Sequence, residues 1–270
     1  MPIKNRIFAG MRKWLLLFLY ATATMAQSPI TAVKTGTFYF KADDYAGFDA
    51  FGFQYFIKDN AFIKSNGKDK FEYKKIAFGK ITRADIQNPL LMVLFYEDFN
   101  AAVLLDNQLN EVREIRFNDL SSPVVAHALG MAGQNRLWLF DTLTQQIMLF
   151  DYLKNTLTPL ATPLKETVKT YQSDFNNFYW IDAKDDAYVI DVFGKVTAMG
   201  KVPPNDAMLF LSGQSILFTT DGKLLFRDGK SGTVQTVLGT ENSPKKFYCE
   251  AQILAIFTNF GITNYKITLP

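Results

Sequence analysis

Cysteine and histidine each occur once in this chain, as Cys249 and His127. A single cysteine excludes an intramolecular disulfide. Its setting in Phe247-Tyr248-Cys249 predicts a strand residue with a buried, inert thiol. A single histidine cannot supply the ligand set of a typical zinc site. It sits in Val124-Val125-Ala126-His127-Ala128, which reads as an innermost strand. There the imidazole either faces a central channel or satisfies its polar atoms between neighbouring elements. Also missing are a Gly-rich phosphate loop, a Gly-x-Ser-x-Gly elbow and any Cys/His metal spacing. Beyond residue 30 no stretch sustains a helical period. No catalytic constellation is legible in what remains.

A surplus of charge of one sign is missing too, once the N-terminus is set aside. The whole chain is formally +3. Residues 1–26 read as a secretory signal: Lys4, Arg6, Arg12 and Lys13, then the apolar run Trp14–Tyr20, then Thr24-Met25-Ala26 with cleavage before Gln27. The apolar run is short for a membrane span, and no cysteine stands near the cleavage point to carry a lipid. Without 1–26, Lys plus Arg falls to 25 against 26 Asp plus Glu, near −1. The basic pI is therefore no sign of nucleic-acid binding, which needs a clustered cationic face. Local groups such as Lys68, Lys70, Lys74 and Lys75 read as solvated strand and turn edges.

What is present is a repeat. An apolar strand runs into an Asp- or Asn-rich turn, and a second apolar strand follows, often closed by Asp and a polar turn. Copies begin near Phe53, Leu91, Leu137, Phe178, Ile216 and Ile253. Turn positions at Asn60, Asn100, Gln146, Asp186, Gly222 and Gly261 keep a spacing of about 40 residues, that of a four-stranded blade. Asp221-Gly222 is the strongest hairpin turn, because both positions tolerate positive φ. Asn66-Gly67, Asp106-Asn107, Gly194 and Asp228-Gly229 mark third-to-fourth strand turns. The last copy ends at Leu269 without a fourth strand, and Thr35–Phe40 offers one from the other end of the chain, which would remove an open sheet edge. The expectation is an all-β fold: a single domain over residues 27–270, six blades closed by the N-terminal strand, with five or seven blades, or an open β-sandwich, as alternatives. The 25 Phe and 12 Tyr are expected between blades, including Trp138 and Trp180. The aromatic run Tyr45, Phe48, Phe51, Phe53, Tyr55 and Phe56 reads as core, with a partner patch as the other choice.

With these repeats the chain resembles the β-propeller superfamily, across about residues 35–269. It carries no WD, kelch or Asp-box signature. Its signal and aromatic-rich, Lys- and Asn-containing repeats are similar to secreted propellers of Bacteroidota bacteria. The resemblance implies, by analogy, an exported protein of the periplasm, outer membrane or cell exterior that binds protein partners of the envelope, without nucleic acid, cofactor or membrane span. The competing readings are a hydrolase or lactonase with a channel-bound divalent cation such as Ca²⁺, and a small-ligand or glycan-binding propeller. The candidate ligand or partner rim is Asp59, Asp98, Asp141, Asp182, Asp186 and Asp221, carboxylates at the second-to-third strand turns. Such groups can hold a hard cation. They also populate tight turns simply because they bond the local backbone.

Overall fold

A computed structural model describes residues 29–241 and 244–270; the signal-like segment 1–26 lies outside the described residues. The chain forms six four-stranded antiparallel sheets. Strand β1 (Ala32–Tyr39) comes first. Blade I is β2 (Asp44–Phe48), β3 (Gln54–Lys58), β4 (Ala61–Ser65) and β5 (Lys70–Tyr73). Blade II is β6 (Arg83–Asp85), β7 (Leu91–Tyr96), β8 (Ala101–Asp106) and β9 (Glu111–Arg116). Blade III is β10 (Ala126–Ala132), β11 (Arg136–Asp141), β12 (Gln146–Asp151) and β13 (Thr156–Pro159). Blade IV is β14 (Val168–Ser173), β15 (Asn177–Asp182), β16 (Asp186–Asp191) and β17 (Val196–Lys201). Blade V is β18 (Ala207–Phe210), β19 (Ile216–Thr220), β20 (Lys223–Arg227) and β21 (Val234–Thr236). Blade VI is β22 (Lys246–Glu250), β23 (Ile253–Thr258) and β24 (Gly261–Ile267), completed by β1. This is a six-bladed β-propeller.

The apolar pattern explains the ring. Side chains alternate across a strand, and in the two middle strands of each blade both faces are covered. Leu137 and Leu139 of β11 enter the core shared with blade II, whereas Trp138 and Phe140 enter the core shared with blade IV. In β7, Val93 and Phe95 face blade III while Met92, Leu94 and Tyr96 face blade I. A strand buried on both faces reads as an unbroken apolar run rather than an alternating one. Six such clusters form among the described residues, one at each junction between neighbouring blades. Trp138 and Trp180 lie inside one of them.

The closing strand begins three residues earlier than the sequence pattern suggests. Its register runs from Ala32 opposite Ile267 to Tyr39 opposite Gly261, with an irregularity between Lys34 and Gly36. Gly261 has φ +135°, and a Cβ there would lie 2.0 Å from the Phe38 carbonyl oxygen, so only glycine lets the two strands meet. Just before β1 the chain also bonds to blade V, with the Ala32 N–H donating to the Leu238 carbonyl and the Leu238 N–H to that of Ile30.

Most turn assignments hold, and some shift. Asp221 and Gly222 both have positive φ, as the two-residue hairpin requires. Gln146, Asp186 and Gly261 are the first residues of third strands rather than turn residues. Lys75 is not a solvated edge: its side chain is only 18% exposed and pairs with Glu111 and Glu114. Of the aromatic run in blade I, Tyr45, Phe48, Tyr55 and Phe56 are buried, while Phe51 is 79% exposed.

Candidate functional site

The second-to-third strand turns and the links between blades lie at the same end of the strands, so the candidate carboxylate rim is on one face. Its members differ in what they do there. Asp141 is buried: Oδ1 accepts the Val125 and Leu143 N–H groups, and Oδ2 accepts both the N–H and hydroxyl of Thr144. Asp182 is also buried, and its Oδ1 accepts the N–H groups of Lys184 and Asp186. Asp186 pairs with Lys201 at 3.1 Å. Asp59, Asp98 and Asp221 are exposed at their turns. The fold brings these six to one face but spreads them over five blades, Asp182 and Asp186 sharing blade IV. Among the described residues no three His, Cys, Asp or Glu side chains converge closely enough to hold a metal ion.

A second constellation lies along the axis, where the first strands of the blades face one another. Asp44, Arg83 and Lys246 each open the first strand of their blade. Lys246 Nζ lies 2.8 Å from both oxygens of Asp44 and joins blade VI to blade I. Burial pulls the Lys246 pKa below the usual lysine value; Asp44 opposes that pull and nearby Arg83 adds to it. Arg83 reaches past blade III to blade IV. Its guanidinium donates to the Tyr171 carbonyl at 3.1 Å and stacks 4.2 Å from the centre of the Tyr171 ring.

Small residues in β10 allow that reach. A Cβ on Gly130 would lie 2.0 Å from Ser173 Oγ and 3.1 Å from Asp85 Oδ2, so side chains of blades II and IV meet over it. Asp85 accepts the Met131 N–H at 2.8 Å and the Gln87 N–H at 3.0 Å. Burial raises its pKa, and these two bonds act against the rise. Gly47 plays the same part in blade I, where Ile86 and the Tyr248 ring close over it. His127 is tied on both sides: Nδ1 is 2.6 Å from Glu97 Oε1 in blade II and Nε2 is 3.2 Å from the Val168 carbonyl oxygen in blade IV. Cys249 is half-buried on β22, and burial, with Glu250 second, pushes its thiol up to about 11. The axial charges are thus spent on one another and on the backbone, fastening blades that are not neighbours in the chain.

The sequence pattern did not single out this axial group. A charged residue at the head of three first strands is a signal in common register, but it appears only once the strand boundaries are known.

The opposite face carries the first-to-second and third-to-fourth turns, hydrogen-bonded to one another at Tyr152 to Asn135 and Val192 to Asn176. Here apolar side chains stand in water: Phe51, Leu90, Leu153, Phe175 and Phe193, the last 91% exposed. The aspartates of these turns are folded back. Asp106, Asp151, Asp191 and Asp228 each accept two backbone N–H groups of their own turn.

No protein-family model matches the chain, and no curated protein sequence does. Solved structures share its fold. A streptogramin B lyase aligns over 88% of this chain and 97% of its own at 12% identity, TM-score 0.55. The WD40 β-propeller domain of Doa1 aligns over 83% and 77% at 12% identity, TM-score 0.55. The extracellular domain of a one-component system from B. thetaiotaomicron aligns over 88% of this chain and 40% of its own at 10% identity, TM-score 0.53. A lyase and a WD40 domain share this architecture, so the likeness speaks for the propeller fold alone.

Proposed function

We propose that this propeller is a non-catalytic interaction scaffold, exported to the cell envelope, where it holds a protein partner in envelope assembly. The observation that carries the reading is a set of exposed apolar turn tips: Phe51, Leu90, Leu153, Phe175 and Phe193 stand exposed at turns of one end of the ring. Large apolar side chains held out in water at turn tips favour a protein contact, and aromatic side chains are the usual anchors of such contacts. The axial charges support the same reading, since they are engaged in holding the ring together. Export rests on the signal pattern of residues 1–26 and agrees with the extracellular setting of the B. thetaiotaomicron domain of like fold.

The test is crosslinking in the native envelope, followed by affinity purification and mass spectrometry, with Phe51→Ser and Phe193→Ser compared with the unaltered chain. A stoichiometric envelope protein recovered with the unaltered chain and lost with the variants supports the scaffold. Recovery of the chain alone, or of the same partner with both variants, overturns it.

A further inference from the structure

A cleft of about 270 Å³ lies on blade VI, where the closing strand β1 meets β24 and the link from blade V passes over them. Its walls join two kinds of chemistry. Tyr39 and Phe260 flank it with rings that are 81% and 78% exposed. Gly261 and the threonines Thr37, Thr258 and Thr263 also line it. Glu241 and Lys34 complete the polar side. Glu241 Oε1 accepts the Thr263 hydroxyl at 3.0 Å and lies 3.3 Å from Lys34 Nζ, while the Glu241 N–H donates to the Tyr265 hydroxyl at 3.2 Å. The carboxylate is therefore held by an ammonium and a hydroxyl, and Thr37 Oγ1 lies 3.5 Å from that of Thr263.

We infer that this cleft binds a saccharide. A sugar ring has an apolar C–H face and an edge of neighbouring hydroxyls that both donate and accept. The exposed rings supply flat apolar platforms for the first. The Lys34–Glu241–Thr263–Thr37 row supplies donors and acceptors side by side for the second. The volume is below the roughly 300–1,000 Å³ of sites for drug-sized ligands, which fits a single sugar unit with the rest of a chain running into solvent. Neither ring contributes to a blade junction, so packing does not explain why two large aromatics stand at one edge of the molecule. Phe260 belongs to a second-to-third strand turn, at the end of the ring away from the proposed partner face, so the two readings stand or fall separately.

Saturation-transfer difference NMR tests the site, using glucose, galactose, mannose and N-acetylglucosamine and their β1,4-linked dimers as probes. Transfer to the ring protons of at least one probe is expected. It should fall more than fivefold in Tyr39→Ala and in Phe260→Ala, and persist in Phe193→Ala, which removes an exposed ring from the other face. All three rings lie on the surface, so the variants fold as the parent does, and circular dichroism verifies this. Absence of transfer to every probe, or equal transfer in a Tyr39→Ala/Phe260→Ala double variant, overturns the inference.

Discussion

Aspartate has one recurring task in this chain, and it is a local one. Asp106, Asp151 and Asp228 each cap a third-to-fourth strand turn, and each has its pKa held below the usual carboxylate value. For Asp106 the main cause is the Asn110 side chain; for Asp151 it is the Lys154 N–H, and for Asp228 the Ser231 N–H. A carboxylate with a depressed folded pKa stabilises the native state above its unfolded pKa and loses that contribution as pH falls through the folded value. The melting temperature should therefore drop below about pH 3.8, the ordinary aspartate value. Replacing all three with Asn should flatten that drop in thermal melts between pH 5 and pH 2.5. Asp141 is the buried version of the same device. Asp141→Ala leaves two or more turn N–H groups without a partner, and a loss of about 2–3 kcal/mol in denaturant unfolding is expected. For Asp141 the sequence already contained both possibilities, a cation rim or turn capping. Nothing in residue type separates them, because the distinction lies in whether the carboxylate turns inward to its own backbone or outward to solvent.

At the scale of the strand, one blade junction depends on the next. Trp138 belongs to the core between blades III and IV, while Leu137 and Leu139 on the same strand belong to the core between blades II and III. Trp138→Ala should cost about 3–5 kcal/mol by denaturant titration, a cavity of aromatic size in a packed junction. Much of the fold was legible at this scale: apolar runs of five or six residues bounded by Asp, Asn and Gly marked all the middle strands within a few positions. First and fourth strands were harder to see. First strands are uneven, from the short polar Arg83–Asp85 to the buried Ala126–Ala132, and fourth strands such as Lys70–Tyr73 are polar because they face water. The axial charges were invisible for the same reason. Lys75 misled because its partners Glu111 and Glu114 lie one blade away in sequence.

For the molecule as a whole, both ends of the ring carry exposed apolar side chains, Phe51 and Phe193 at one and Ile76, Leu143 and Phe260 at the other. The competing hydrolase reading places a divalent cation in the channel, and a cation that binds only the native state must raise its melting temperature. Titration with Ca²⁺ to millimolar levels is expected to leave the melt unchanged; a concentration-dependent rise would restore that reading. The closing of the ring has a further consequence, which concerns time. Strand β1 finds its partner β24 only after more than 200 intervening residues have been made, as the pairing of Ala32 with Ile267 shows. Contacts between the two extremes of a chain are slow to form. A polypeptide delivered N-terminus first must keep its opening strand idle until nearly everything else has arrived, and no prefix of it can be a finished object. A chain cut short before β24 leaves an open horseshoe, with β1 unpaired and a bare edge on each side of the gap.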